Sequence, residues 1–185
     1  MNKAEDLLKN TFYFTNSQKV LFFFLEHTGD EYYDRQVAKL AGLSRAGTNL
    51  AVRELAKCGL LERNKKGRMV FYRIKRDNIL VKHLKIVQNI VFLTSLLDLL
   101  IPKSLQIVLF GSAAKGENTA GSDIDLFILS RNTQEIKNII FKNKLRNRLQ
   151  LIINTPNELA ALKKENPVFS QSISEGIILW EEKRT

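Results

Sequence analysis

"LFGSAAKGENTAGSDIDLFILS", Leu109 to Ser130, sets two apolar runs around a loop of Gly, Ser, Lys and Asn and places two aspartates one residue apart inside the second run. Alternate residues of an extended strand share a face, so Asp123, Asp125 and Phe127 point one way while Ile124, Leu126 and Ile128 point into a core. Two carboxylates about 6.5 Å apart repel by roughly 2.5 kcal/mol at an effective dielectric near 20. Stability alone gives no reason to keep such a pair. A hard divalent cation reverses the sign of the interaction, and Mg²⁺ takes one or two carboxylates together with substrate phosphate oxygens. The first half of the stretch supplies the anion side: Gly111 permits a sharp turn, Ser112 offers a hydroxyl and backbone N–H groups at a helix start, and Lys115 adds positive charge. The sequence has no Gly-Lys-Ser/Thr of the P-loop type.

Working outward, the order is strand "LQIVLF", short helix "SAAKGE", loop, strand "DIDLFILS", helix "TQEIKNIIFKNKLRN", strand "RLQLIIN", helix "TPNELAALKKEN" and a last short strand "GIILWE". This alternation predicts a mixed α/β unit with at least three strands. "FGSAAKGENTAGSDIDLFIL" resembles the signature of the polymerase-β-type nucleotidyltransferase superfamily, a Gly-Ser pair followed about ten residues later by Asp-hydrophobic-Asp. The small size and the ending "NPVFSQSISEGIILWEE" resemble the minimal branch of that superfamily, which includes antitoxins paired with HEPN-domain toxins. The resemblance covers about residues 80–182. It implies two Mg²⁺ ions held with a bound nucleoside triphosphate (NTP), and transfer of a nucleoside monophosphate to an acceptor hydroxyl. Carried over by position, Asp123 and Asp125 are catalytic metal ligands, Gly111 and Ser112 bind phosphate, and Lys115 is a further phosphate candidate. One departure matters: members active in transfer usually have a third acid on the next strand, and here that place falls on Gln150, an amide that is no base and a poorer Mg²⁺ ligand. Ala113 stands where related sequences often carry a basic or aromatic side chain. Asp98, at the end of a helix, and Glu117, in the loop, are weak substitutes.

The N-terminal half reads differently. "SQKVLFFFLEHTG" and "DRQVAKLAGL", the second capped by Asp34, predict two helices, and Ser44 caps a third, "SRAGTNLAVRELAKCG". "LLERNKKGRMVFYRI" predicts a β-hairpin with Asn64, Lys65, Lys66 and Gly67 at its tip. This order resembles a winged helix-turn-helix over about residues 15–76. Thr48, Val52 and Leu55 recur at core spacing, leaving Arg45, Asn49 and Arg53 on the outer face of the recognition helix, with Leu50 close by. Arginine suits guanine edges and asparagine suits adenine, while Lys65, Lys66 and Arg68 of the wing suit phosphates. From Arg63 to Arg76 there are seven basic residues and no acid, which predicts steeply salt-dependent binding to DNA. A module that packs on a partner protein is the alternative. Asp77 is the expected cap of a connecting helix, "NILVKHLKIVQNIVFLTSLLDLL", whose apolar second half needs covering by the following domain or by a second copy in a homodimer.

Composition bounds these readings. With 185 residues, 44% hydrophobic and 26% charged, the chain has the material for one large or two small folded domains. A formal charge of +10 favours a polyanionic partner. The single cysteine, Cys58, excludes an intrachain disulfide and a multi-thiolate metal site, and is expected as a small core residue. His27 and His83 lack metal-spaced neighbours and read as structural; Trp180 reads as a core or interface anchor. The N-terminal stretch has no secretory pattern, and Ile86–Ile101, broken by Gln88, Asn89 and Asp98, reads as a buried helix too short in its charge-free part to span a membrane. A cytoplasmic location is therefore expected. The sequence thus predicts an α+β protein: a winged helix-turn-helix over 1–76, a connecting helix over 77–101 and a small mixed-sheet nucleotidyltransferase-like α/β domain over 102–185. Two functions fit it, a Mg²⁺-dependent nucleotidyltransferase guided by a DNA-binding module, or a transcriptional regulator or antitoxin-like protein that binds nucleotide or a HEPN-type partner without turnover.

Overall fold

The computed structural model describes residue Thr11 and residues 14–183. The stretch 1–10, most of the segment read above for a secretory pattern, lies outside the described residues. The chain forms two compact units, Met1–Val91 and Phe92–Thr185, and is a mixed α+β protein.

In the first unit, α1 (Asn16–Glu26) starts at Thr15, whose hydroxyl accepts from the Gln18 N–H while the Gln18 side chain accepts from the Thr15 N–H. Val20 to Leu25 of this helix are all buried. A two-residue strand, β1 (Tyr32–Tyr33), leads into α2 (Asp34–Leu40) and α3 (Arg45–Lys57). Ser44 caps α3 by accepting from the Gly47 N–H. The hairpin β2 (Leu61–Lys66) and β3 (Met69–Ile74) follows, with β1 added to the far side of β3. Val20, Phe24, Leu25, Val37, Val52, Leu61 and Ile74 form one apolar core.

Helix α4 (Ile79–Leu100) begins at Asn78, whose side-chain oxygen accepts from the N–H groups of Leu80 and Val81. The cap is therefore one residue beyond the expected Asp77, because Asn78 is the residue whose side chain reaches the orphan amides of the first turn. Likewise Asp34 lies inside the first turn of α2, and Tyr33 holds the cap position, its N–H accepted by the Gln36 side chain. The ammonium of buried Lys85 donates to Leu25 O at the end of α1 (2.7 Å) and to Gln88 Oε1 (3.1 Å), fastening the first half of α4 to the first core. By length and composition the segment Ile79–Lys103 is long and apolar enough to cross a membrane, contrary to the expectation drawn from its charge-free part alone; 44% of its most apolar stretch is buried within the protein.

In the second unit a four-stranded sheet has the order β6-β5-β4-β7, from β4 (Gln106–Phe110), β5 (Ile124–Leu129), β6 (Leu149–Asn154) and β7 (Ile177–Glu181). β5 runs antiparallel to β4 and parallel to β6, and β7 is antiparallel to β4. The parallel pair needs a crossover, supplied by α6 (Thr133–Phe141). Both faces of the sheet are covered. Val108, Phe110 and Phe127 pack with Ile173 beneath α7 (Pro156–Glu165) and α8 (Pro167–Ser174), and Ile107, Leu109, Leu126 and Ile128 are fully buried on the opposite face. Phe127 is therefore core, although it shares the phase of the two aspartates; only the start of that face is open.

Cys58 is exposed rather than core. It caps the end of α3 one turn beyond exposed Glu54, on the solvent side of the helix. The hairpin tip is shorter than expected: Asn64, Lys65 and Lys66 belong to β2, paired with Phe71, Val70 and Met69, and only Gly67 and Arg68 form the turn. Gly67 has φ +60°, the conformation that two-residue hairpin turns require.

Candidate functional site

The Gly-Ser stretch and the aspartates meet at the end of β4 and the start of β5. Phe110, last residue of β4, lies opposite Asp125 in the antiparallel ladder, so the turn at Gly111 falls directly over that carboxylate. A Cβ built on Gly111 would stand 2.2 Å from Asp125 Oδ2, and the glycine has φ +66°. Both facts demand glycine at this place. The helix that follows, α5 (Gly111–Lys115), has only 5 residues, so its dipole is small and the anion-binding capacity rests on local amides and the Ser112 hydroxyl. Ser112 is half-buried, Lys115 is exposed at the end of α5, and Ala113 is fully buried, leaving no room there for a basic or aromatic side chain. The loop beyond is closed by Thr119, whose N–H donates to Ser122 Oγ (2.9 Å).

Asp123 precedes β5 and is exposed; Asp125 is half-buried within it. Burial first, and then the charge of Asp123, raise the Asp125 carboxyl above the ordinary aspartate value. Neither aspartate has an ion-pair or hydrogen-bond partner among the described residues. Among the described residues no ion pair neutralises either carboxylate, which is the electrostatic condition a cation relieves. Gln150 of β6 lies in register beside Asp125 and is exposed. No group of three or more His, Cys, Asp or Glu side chains among the described residues could cage a metal by itself. The donors therefore fit a cation that brings further oxygen ligands on a phosphate, and do not fit a self-sufficient metal cage. Asp98 is exposed on α4 and Glu117 is exposed in the loop. His27 bonds Phe23 O and stacks on the Phe23 ring, and His83 bonds Ile79 O, each within its own helix. Trp180 is a partly exposed side chain on an edge strand.

With this geometry in place, the chain can be compared with known proteins. Residues 101–185 match the family model "Polymerase beta, Nucleotidyltransferase". The matched stretch contains the whole Gly-Ser turn and both aspartates. Among solved structures, a "possible transcriptional regulator" from Methanosarcina mazei Go1 aligns at 20% identity over 52% of this chain and 82% of its own, with a TM-score of 0.34. A Sulfolobus solfataricus protein provisionally named a nucleotidyltransferase aligns at 14% identity over 55% of this chain and 85% of its own, with a TM-score of 0.33. No curated protein matches the sequence at a significant level.

The first unit carries a second candidate surface. Arg45 and Arg53 are exposed on α3, and Thr48, Val52 and Leu55 are buried, as the helical spacing predicts. Leu50 is 60% exposed beside them. A groove of about 1290 Å³ between α3 and the hairpin is lined by Asn49, Arg53, Lys57, Arg63, Arg68 and Lys75. Acids that sequence reading had not placed here also line it: Glu31, Asp34 and Glu62. Asn49 donates to Asp34 Oδ2 at 2.7 Å. Lys66 forms an ion pair with Glu31 and lies over the Phe71 ring, and Arg73 pairs with Glu62 at 2.6 Å. Hydrogen bonding to Lys66 holds the Glu31 carboxyl below its usual range. The basic run from Arg63 to Arg76 is therefore partly neutralised by acids from β1's approach and from β2 itself. No local sequence signal announces these pairs, since Glu31 meets Lys66 only through the long-range pairing of β1 with β3.

Proposed function

We propose that the protein is a DNA-binding regulator whose C-terminal domain binds a nucleoside triphosphate together with Mg²⁺. Asp123 and Asp125 hold the cation and the Gly111–Ser112 turn receives the phosphate chain, with Lys115 adding charge. The observation that carries this reading is the glycine turn pressed against an unneutralised carboxylate. A bound Mg²⁺ supplies charge neutralisation between the aspartates and the triphosphate. The two aspartates orient it, and the Ser112 hydroxyl and nearby amides donate hydrogen bonds to phosphate oxygens. Residues 15–76 act as a winged helix-turn-helix, presenting Arg45 and Arg53 to base edges and Lys65 and Arg68 to phosphates, while Asn49 is held by Asp34 and would have to release it to reach a base.

A second reading has its own observation. The aspartate pair is complete, and with an acceptor hydroxyl bound alongside, the domain would transfer a nucleoside monophosphate and release pyrophosphate. Gln150 weighs against it: the side chain in register with Asp125 on β6 cannot take the acceptor's proton. A HEPN-type protein would be a ligand in the first reading and the acceptor in the second. Incubation with labelled NTP, Mg²⁺ and candidate acceptors separates the two. Metal-dependent binding without transfer supports the regulator; transfer lost on combining Asp123→Ala with Asp125→Ala supports the enzyme.

A further inference from the structure

We propose that β6 is a self-pairing edge, through which two copies of this chain join their C-terminal sheets antiparallel about a two-fold axis at Leu151. β6 is an end strand of its sheet. Ser130 N–H donates to Asn154 O at 3.0 Å, which fixes the phase of the parallel ladder: Gln150, Ile152 and Asn154 turn their backbone groups toward β5. Leu149, Leu151 and Ile153 then turn theirs outward, and none of the three has a hydrogen-bond partner outside the β5–β6 ladder among the described residues. Proteins usually blunt such an edge with charge, proline or a bulge. The segment Leu149–Asn154 contains no charge, Gly or Pro, and its register with β5 runs unshifted from Ile124↔Leu149 to Leu129↔Asn154. The opposite edge is blunted: β7 has a register shift against β4 between Ile107 and Val108 and ends in Glu181.

A second copy is the occupant that the pattern fits. Antiparallel pairing must match outward residues with outward residues, and one symmetric register keeps all three inside the strand: Leu149 opposite Ile153, Leu151 opposite Leu151, Ile153 opposite Leu149. Their side chains alternate to one face, so the joined edges form a continuous apolar row. Beside it lies a cleft of about 500 Å³ whose apolar lining is Ile140, Phe141, Leu151 and Ile153 and whose polar rim is Lys137, Arg146 and Asn147; Phe141 is 72% exposed, with the Arg146 guanidinium 5.3 Å from its ring centroid. Charge agrees with the same geometry. The chain before β6 is basic (Lys142, Lys144, Arg146, Arg148), and the chain after it holds Asn154, Thr155 and Glu158. Antiparallel pairing sets Arg148, just before each strand, opposite the other copy's Asn154, so the strand ends bring no like charges together. Parallel pairing would stack Arg148 on Arg148.

The test uses the full chain in analytical ultracentrifugation, with backbone amide exchange read on the same samples. The expected mass is twice 21.2 kDa, with the amides of Leu149, Leu151 and Ile153 protected and that protection falling about tenfold or more on dilution to monomer. Leu151→Pro removes an outward N–H without touching a bond to β5, and Ile153→Lys sets an ammonium opposite Leu149; either, shown folded by circular dichroism, is expected to be monomeric. Should both variants unfold, exchange in the unaltered chain decides. A monomer at every concentration, a dimer that survives in a folded variant, or a dimer whose three outward amides exchange freely overturns the proposal. The last outcome would move the interface elsewhere, for instance to α4.

Discussion

Two separate penalties fall on any side chain placed at residue 111. A φ of +66° costs a non-glycine residue about 1–3 kcal/mol, and the new Cβ would lie 2.2 Å from Asp125 Oδ2. Gly111→Ala is therefore expected to destabilise the protein by at least that amount in denaturant titration and to abolish nucleotide binding in calorimetry, because the carboxylate must move. Asp125 itself makes a pH-dependent prediction. Its carboxyl is raised in the folded protein, by burial and then by Asp123; the unfolded chain gives up the proton first, so stability falls as pH rises through and above the ordinary aspartate range. Asp125→Asn removes this term. The variant is expected to unfold at a higher temperature than the unaltered protein at neutral pH, with the gain vanishing in acid where both forms are neutral. A gain that persists unchanged in acid would contradict the assignment. The aspartate spacing and the glycine were legible in the sequence, since both rest on local chemistry. The burial of Phe127 was not, because it depends on two helices that return from later in the chain to cover its face.

At the scale of elements, the hairpin and α3 divide the basic residues into those committed to the fold and those available to a polyanion. Lys66 and Arg73 are held by Glu31 and Glu62, while Lys65 and Arg68 have no ion pair among the described residues. Replacing Lys65 and Arg68 together with Ala is expected to lower the slope of log affinity against log salt for duplex DNA by about 2, near 0.9 per phosphate contact. Lys66→Ala is expected to change that slope by less than one contact. Equal effects from all three positions would put the hairpin's contacts elsewhere. The three helices and hairpin were readable from periodicity and caps, with errors of one residue at Asp34 and Asp77, where an acidic side chain sits beside the residue that makes the cap. Cys58 was misread because its phase on α3 follows Glu54 and not the buried Leu55. The Glu31–Lys66 pair and the strand Tyr32–Tyr33 had no signal at all, being products of pairing between segments about 40 residues apart.

For the whole molecule, the change in residue pattern along the chain corresponds to two compact units, and only the second contains the carboxylate pair. The boundary falls inside α4, between Val91 and Phe92, whereas the sequence reading set 77–101 apart as a connecting helix between domains over 1–76 and 102–185. Gln150 of β6 lies in register with Asp125. The most direct measurement on the central claim is isothermal calorimetry of the full chain with a nucleoside triphosphate, with and without Mg²⁺, repeated on the Asp123→Ala, Asp125→Ala double variant. Heat of binding is expected only when nucleotide and Mg²⁺ are both present, and none from the double variant. Binding that is indifferent to Mg²⁺ or undiminished in the double variant, or no heat from any common ribonucleotide, would contradict the account.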